Sequence, residues 1–321
     1  MMQEERTGPN QIEVPIVLAF TPNYFVPVAT CITSVLQYAG ETSKFHFICL
    51  LTEALPTAMQ ELLKDLGAAR ARFTFMDLTG AVSEEIYVDP KYTIAASYRL
   101  LLPSLLPEYD KILYIDCDMI FQNDLSILYH RMDLQDNYMA GVFEATLEVQ
   151  QAHMQAIGCA PGSYINSGLL LMNLKQLRAD DMVSQFLEAA KVEGLAFPDQ
   201  DVINQLCKGR IVGLPPFWNS IRTFLLPQYK TSFLKFYTEQ DWRTVQRRGN
   251  VHYTGPKPWN TFTVAFDLWW SYYNRLPVAI KKLITIDPKL VLIATVYRNS
   301  LGKFGVKLVQ TVYRRLKGRA E

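Results

Sequence analysis

The chain has 321 residues, of which 49% are hydrophobic and 20% charged, and its formal net charge is +1. This length and composition predict one or two folded domains and exclude an intrinsically disordered chain. The five scattered cysteines, without a C-x-x-C pair, favour a reducing compartment over a disulfide or zinc framework.

Short apolar segments alternate with helix-like segments along the first half of the chain, which is typical of βαβ units and a mainly parallel sheet. We therefore predict an α/β fold. The predicted strands cover residues 16–20, 45–51, 72–75, 111–115, 139–143 and 169–173. The predicted helices cover residues 28–38, after Pro27, and then 57–66, 97–106 and 181–191.

Three broader features complete the predicted organisation. Residues 14–40 carry no formal charge, but their prolines indicate a buried strand, turn and helix rather than a membrane span. Residues 215–259, rich in Trp, Tyr and Pro, are predicted to be irregular surface. The simplest division is a polar lead (1–13) without a signal-peptide core, one α/β domain (14–274) and a basic tail (275–321).

Asp116 and Asp118 stand at the carboxyl end of the predicted strand 111–115. Residues two apart in a strand point to the same face, so both carboxylates point the same way. Like charges this close raise each other's pKa unless a cation lies between them. A hard divalent cation with open positions for phosphate oxygens meets that need. The alternative is a solvated loop start, because Asp is common where strands end.

Two further polar segments adjoin predicted strands. Asn23 and Tyr24 follow the first strand, at the edge where open parallel sheets bind ligands, and are suited to hydrogen-bond and stack on a nucleoside. The alternative is an Asx-turn. Asn166 and Gly168 precede the strand 169–173: the amide suits sugar hydroxyls, and the glycine permits close approach of the backbone. A β-bulge is the alternative there.

Charged residues on two predicted helices are further candidates. Arg99 precedes the strand of the aspartate pair and can bind phosphate or sugar oxygens, with a surface arginine as the alternative. Asp199, Gln200 and Asp201 begin a helix, where an acid is usually a cap. Two acids and an amide at one helix start also suit a polyol.

His252, Gly255 and Lys257 belong to the densest polar cluster of the chain. A neutral imidazole is a good third metal ligand beside two carboxylates. The glycine lets the backbone approach a phosphate, and the lysine supplies a point charge for it. We therefore predict that this cluster is functional.

Together these motifs resemble glycosyltransferase family 8, which includes bacterial lipopolysaccharide galactosyl- and glucosyltransferases and glycogenin. The resemblance covers roughly residues 14–262 and keeps the motifs in the family's order, so the set is specific although each motif alone is not. It implies a single GT-A domain with a Rossmann-like nucleotide-binding half. It also implies a UDP-hexose donor, Mn²⁺ with Mg²⁺ as the alternative, and retention at the anomeric carbon, in the synthesis of lipopolysaccharide or another cell-surface polysaccharide.

The resemblance also implies roles for individual residues. The metal ligands would be Asp116, Asp118 and His252. Asp199 and Gln200 would be catalytic, because they would orient the sugar and stabilise its positive charge. The nucleotide-sugar contacts would be Ala19, Thr21, Asn23, Tyr24, Arg99, Asp116, Cys117, Asn166, Ser167, Asp199, Gln200, Gly255 and Lys257.

The chain departs from the family's pattern at two positions. Thr21 stands where bacterial galactosyltransferases of the family often have an acidic residue, and only one residue separates Gly255 from Lys257 where G-x-x-K-P-W is common. Retention normally uses a carboxylate nucleophile, but the amide of Gln200 is a poor one. We therefore predict a front-face displacement in which a UDP oxygen accepts the proton of the acceptor.

Two alternatives to a glycosyltransferase remain. A sugar-phosphate nucleotidyltransferase also uses paired acids, but it is expected to carry a glycine-rich loop after the first strand, where this chain has Thr21-Pro22-Asn23. A non-catalytic nucleotide-sugar-binding protein would not need three metal ligands together. No nucleic-acid partner is predicted.

The tail has eleven Lys and Arg against two acids, a net charge of +9 that leaves −8 for the rest of the chain. Residues 288–319 are predicted to bind an anionic membrane surface as an amphipathic helix, with a helix packed on the domain as the alternative. The enzyme would then be cytoplasmic and peripheral on the inner face of the cell membrane, with a lipid-linked glycan as acceptor. The apolar stripe of this helix is Leu301, Phe304, Leu308, Val312 and Leu316.

Overall fold

Strands and helices alternate along the chain in the computed structural model, which describes residues 13–81, 86–87, 93–298 and 302. Within these ranges the strands are β1 (Val14–Phe20), β2 (Phe45–Leu51), β3 (Ala71–Asp77), β4 (Lys111–Ile115), β5 (Met119–Ile120), β6 (Met139–Phe143), β7 (Ile165–Asn173), β8 (Ile211–Gly213) and β9 (Val251–His252). The α-helices are α1 (Phe25–Tyr38), α2 (Thr57–Gly67), α3 (Leu102–Leu105), α4 (Leu125–Arg131), α5 (Gln151–Ala156), α6 (Leu174–Ala179), α7 (Met182–Ala189), α8 (Pro198–Leu206), α9 (Arg222–Leu225), α10 (Lys230–Phe233), α11 (Glu239–Arg248), α12 (Phe266–Tyr273), α13 (Val278–Lys281) and α14 (Pro288–Tyr297). The 3₁₀ helices are Pro22–Tyr24, Ala68–Arg70, Ile94–Leu101, Glu148–Gln150, Pro216–Trp218 and Pro227–Tyr229.

Seven strands form one central sheet in the order β3-β2-β1-β4-β7-β6-β8. All neighbouring pairs are parallel except the two that involve β7, which runs antiparallel to β4 and to β6. The prediction of a mainly parallel α/β sheet is confirmed. Because β7 is reversed, its amino end lies at the same edge as the carboxyl ends of β1, β4 and β6.

Alternate residues of the central strands pack into two hydrophobic cores, one on each face of the sheet. In β1, Ile16 and Leu18 belong to one core and Val17 to the other. This is the period of two expected of a strand buried on both faces. Helices cover both faces, so the carboxyl edge of the sheet is where the chain forms a cavity.

Two predicted helices differ from the observed ones. The first, α1, begins at Phe25, ahead of Pro27. The segment that carries Arg99 is a 3₁₀ helix, Ile94–Leu101, followed by the short α3. Pro103 has no N–H to donate to the carbonyl of Arg99, so an α-helical ladder cannot run through this point.

The prediction of irregular surface between residues 215 and 259 is wrong. This segment forms α9, α10, α11 and β9, and Phe224 and Phe233 are buried in the main core with Trp242. Their rings contact one another with centroid distances of 5.0 and 5.3 Å. Aromatic and proline content alone does not predict these short helices, because each helix buries only one or two side chains.

The described part of the predicted tail packs on the domain. Ile280 joins the main core, and Leu290, Ala294 and Tyr297 of α14 are buried against the aromatic cluster of α12. Among the described residues, no helix combines the length and the hydrophobicity needed to cross a membrane. The predicted apolar stripe from residue 301 onward lies outside the described residues.

Candidate functional site

A cavity of about 540 Å³ opens at the carboxyl edge of the sheet. It lies beyond the ends of β1 and β4, which is where ligands bind in open α/β sheets. The residues predicted for the site line this cavity, with the exceptions of Asn23 and Gly168. Asn23 is exposed, and its side chain accepts a hydrogen bond from the hydroxyl of Thr21.

Asp116, Asp118 and His252 converge at this cavity, with one ligand atom of each within 4.8 Å of the others. The Nε2 atom of His252 lies 3.2 Å from Asp118 Oδ1 and 3.6 Å from Asp116 Oδ2. A small two-stranded sheet brings them together, because Met119 of β5 pairs with His252 of β9. Two carboxylates and one imidazole are a donor set that suits a divalent cation such as Mn²⁺.

Gly168 of β7 gives this cluster its space. A Cβ atom at Gly168 would lie 2.2 Å from Cε1 of His252 and 2.9 Å from Oδ2 of Asp116. The pairing of β6 with β7 also shifts register between Ala140 and Val142. The alternative predicted for Gly168, a β-bulge, is therefore present as an irregularity close to this residue. The glycine is required here for room rather than for its backbone angles.

Lys257 adds positive charge beside the carboxylates. Its Nζ donates to Oδ2 of Asp118 and, at 2.8 Å, to the carbonyl of Tyr253. Burial is the largest single influence on each pKa and favours the neutral form, but the opposing charges and hydrogen bonds together outweigh it; for Asp118 these come from Lys257 and His252. The pKa of Asp118 is therefore well below its usual value, and the pKa of Lys257 is above its own. Gly255, with φ of 86°, lets the connecting loop pass close to the cavity.

Arg99 is a buried guanidinium that joins three elements. It lies 2.9 Å from Asp116 Oδ1 and 3.0 Å from Asp199 Oδ2, and it donates to the carbonyl of Ser167 at 2.6 Å. Its guanidinium carbon also stacks 4.3 Å above the ring centroid of Tyr114. Burial lowers the pKa of Arg99, but the two carboxylates outweigh this and raise it, so Arg99 stays charged.

Asp199 and Gln200 begin α8, as the sequence predicted, and both face Ser167. The backbone N–H of Ser167 donates to Gln200 Oε1 at 2.9 Å, and its hydroxyl lies 3.3 Å from Asp199 Oδ2. Burial raises the pKa of Asp199, although Arg99 opposes the shift. The next acid, Asp201, is fully buried and accepts a hydrogen bond from Tyr164 at 2.5 Å, so it anchors the helix.

Two residues that contact side chains of the site were not predicted from the sequence. Glu144 directly follows β6 and accepts hydrogen bonds from Asn166 Nδ2 at 3.1 Å and Gln200 Nε2 at 3.4 Å. Burial raises the pKa of Glu144. Asn219 is fully buried, and its Oδ1 lies 3.1 Å from Nδ1 of His252. An acid at the end of the strand 139–143 was a usable signal for Glu144, whereas nothing in the sequence marks Asn219.

Tyr24 gives the cavity an aromatic wall beside the candidate metal ligands, and the buried Trp259 packs against it without lining the cavity. Their rings meet edge to face with centroids 5.8 Å apart. Burial raises the pKa of Tyr24, so its hydroxyl is protonated at neutral pH. A planar base can stack on such a wall.

Comparison with known proteins identifies relatives of this chain. Residues 15–263 match the family model for glycosyl transferase family 8. The chain is 27% identical over 270 residues to the lipopolysaccharide 1,2-glucosyltransferase of Escherichia coli, a match that covers 79% of this chain and 76% of that protein. It is 26% identical over 196 residues to general stress protein A of Bacillus subtilis (strain 168), covering 59% of this chain and 67% of that protein.

Solved structures share the fold. The galactosyltransferase LgtC, in complex with donor and acceptor sugar analogs, has a TM-score of 0.67 and 24% identity, over 84% of this chain and 100% of that chain. The apo WbbM bifunctional glycosyltransferase has a TM-score of 0.72 and 20% identity, over 84% of this chain and 51% of that chain. The prediction of a GT-A-type α/β fold is confirmed.

The role of Gly168 gives a first prediction. Gly168→Ala should weaken Mn²⁺ binding by at least about 10-fold, because the added methyl displaces the imidazole of His252. Isothermal titration calorimetry of the folded variant measures this. Gly40→Ala is the control, since Gly40 is exposed and its nearest neighbour would be 3.2 Å from the new methyl. Equal Mn²⁺ affinity in Gly168→Ala and the wild type would contradict the steric argument.

Proposed function

The chain belongs to glycosyl transferase family 8. We propose that it transfers galactose or glucose from a UDP-sugar to a glycan acceptor, with retention of configuration at the anomeric carbon. The observation that carries the proposal is the convergence of Asp116, Asp118 and His252 on one cavity, beside Lys257. The E. coli relative is a glucosyltransferase acting on lipopolysaccharide, and the structural neighbour LgtC is a galactosyltransferase. Lipopolysaccharide or another cell-surface polysaccharide is the proposed product class.

The phosphate end of the donor belongs, on this proposal, beside the cluster of Asp116, Asp118 and His252. These residues would hold Mn²⁺, or Mg²⁺, which when bound neutralises charge that develops on the diphosphate. Lys257 would exchange its bond to Asp118 for one to a phosphate oxygen, and Gly255 would let the backbone come close. Ala19, Thr21, Tyr24 and Cys117 line the part of the cavity proposed for uridine.

The hexose belongs at the other end, against Asn166, Asp199 and Gln200. Asp199 is tied to Arg99, and Gln200 carries an amide, so neither is a good nucleophile. We therefore propose a front-face displacement: the acceptor hydroxyl attacks the anomeric carbon on the face that UDP leaves, and a UDP oxygen takes its proton. Asp199 and Gln200 would orient the sugar and stabilise its positive charge.

The family assignment favours this reaction over the two alternatives, and a donor screen tests it. We expect Mn²⁺-dependent UDP release from UDP-galactose or UDP-glucose, and a loss of at least about 100-fold in both Asp118→Asn and His252→Ala, because each removes a metal ligand. The controls are Asp65→Asn and His130→Ala, which change exposed residues of the same types. Pyrophosphate release would indicate a nucleotidyltransferase, and UDP-sugar binding without turnover would indicate a binding protein.

Glu144 tests the front-face route, because it is a second buried carboxylate in the same cavity. Glu144→Gln keeps the shape and one acceptor oxygen but removes the charge. We expect transfer to persist with kcat lower by about 10- to 100-fold, since only electrostatic support is lost. A complete loss of transfer, together with trapping of a glycosylated wild-type enzyme at Glu144, would contradict the front-face route.

We also propose that the enzyme is cytoplasmic and sits on an anionic membrane surface, where it meets a lipid-linked acceptor. On α14, Val291, Leu292 and Val296 are 43%, 65% and 42% exposed, and Lys289 and Arg298 are exposed beside them. The buried side of α14 holds Leu290, Ala294 and Tyr297. Apolar and basic side chains together suit the headgroup region of an anionic bilayer.

A truncation after Arg298 tests the membrane proposal, because it keeps α14 and its core contacts. It removes six Lys and Arg, each of which contributes about 1 kcal/mol near an anionic surface. We expect the truncated enzyme to stay folded and active on a soluble acceptor but to sediment much less with anionic vesicles at low salt, because α14 keeps only Lys289 and Arg298 as basic side chains beside its apolar surface. Neutral vesicles are the control. If the full-length protein ignores anionic vesicles, the membrane proposal is wrong.

A further inference from the structure

We propose that Asn219 is a positioning residue that fixes the ring orientation and the tautomer of His252. The inference rests on the metal site of the proposed function. A series of hydrogen bonds starts at the backbone N–H of Gly168 and runs through two buried side-chain amides, Asn166 and Asn219. It determines which ring nitrogen of His252 faces Asp116 and Asp118.

The side-chain amide of Asn166 is held in one orientation by two neighbours. The backbone N–H of Gly168 lies 3.1 Å from Asn166 Oδ1. A backbone N–H can only donate, so the side-chain atom facing it must be the oxygen. The Nδ2 group then points the other way, to the carboxylate of Glu144 at 3.1 Å, which can only accept when ionised. Both neighbours therefore select the same orientation of the Asn166 amide.

The orientation of the Asn166 amide fixes that of Asn219. Its Nδ2 group donates to Asn166 Oδ1 at 2.9 Å, so its own oxygen must face the opposite side. That oxygen lies 3.1 Å from Nδ1 of His252. An oxygen acceptor requires a donor, and Nδ1 therefore carries a proton. Nε2 is then the nitrogen whose lone pair would bind a metal, and it faces Asp116 Oδ2 at 3.6 Å and Asp118 Oδ1 at 3.2 Å.

The backbone holds Asn219 and His252 in register. The N–H of His252 donates to the carbonyl of Ser220 at 3.1 Å, and the N–H of Ser220 donates to the carbonyl of Asn250 at 2.8 Å. Ser220 also forms an isolated parallel bridge with Val251. Asn219 and His252 are both buried, with 0% and 4% exposure, so their side chains have little freedom to leave this arrangement.

A histidine metal ligand usually donates its second N–H to an oxygen, which fixes the ring and raises its basicity. Loss of such a partner typically costs 10- to 100-fold in metal affinity. A buried asparagine that only fills space, or only donates a hydrogen bond to Asn166, would not change the metal affinity when it is replaced. Metal affinity therefore separates the two roles.

The experiment compares Asn219→Leu with Asn219→Asp. Leucine has a similar volume but no acceptor, so we expect Mn²⁺ to bind about 10- to 100-fold more weakly. Aspartate keeps an oxygen toward Nδ1 although it loses the donor to Asn166, so we expect it to retain affinity within about 10-fold of the wild type because the acceptor on His252 is what matters. Free Mn²⁺ is measured by electron paramagnetic resonance, and thermal unfolding in EDTA reports the fold of each variant. Wild-type affinity in a folded Asn219→Leu would overturn the proposal.

A second measurement needs no variant. The chain has four histidines, so ring ¹⁵N signals of labelled wild-type protein can be assigned by substituting each in turn. Whether the ring holds one proton or two, we expect His252 to carry a proton on Nδ1. A ring protonated on Nε2 alone would overturn the proposal. If the wild type binds no Mn²⁺, the metal site of the proposed function fails, while the ring tautomer still decides the role of Asn219.

Discussion

The buried guanidinium of Arg99 is the interaction on which the site depends, because it neutralises carboxylates from two separate elements. Asp116 follows β4 and Asp199 begins α8, and the guanidinium lies 2.9 Å from Asp116 Oδ1 and 3.0 Å from Asp199 Oδ2. Arg99 also binds Ser167 in β7, whose backbone N–H in turn holds Gln200. One side chain thus joins the Asp116 end of the cavity to the end formed by Asp199 and Gln200.

The reversal of β7 explains why these residues meet at one edge. In an all-parallel sheet, the amino end of a strand lies opposite the ligand-binding edge. Here β7 runs against β4 and β6, so Asn166, Ser167 and Gly168 at its beginning lie beside Asp116 and Glu144 at the ends of their strands. The same reversal places Gly168 directly against the imidazole of His252.

The small sheet of β5 and β9 brings in the last part of the site. It pairs Met119 with His252, which are far apart in the sequence, and it leads the chain into the loop of Gly255 and Lys257. The aromatic cluster of Trp259, α12 and α14 packs behind this loop. The described C-terminal helices therefore support the loop of Gly255 and Lys257 as well as presenting an exposed apolar and basic surface.

The sequence by itself determined the central strands and the main ligand candidates. Residues 45–51, 111–115 and 139–143 are strands with the predicted bounds, because strands buried on both faces are continuous apolar runs. The tertiary structure decided the rest. The short helices between residues 215 and 259 depend on distant core contacts, and so do the positions of Glu144 and Asn219. Asn219 forms hydrogen bonds with His252, 33 residues away in the sequence, and with Asn166, 53 residues away. Hydrogen bonds over such separations follow from packing, which no local pattern records.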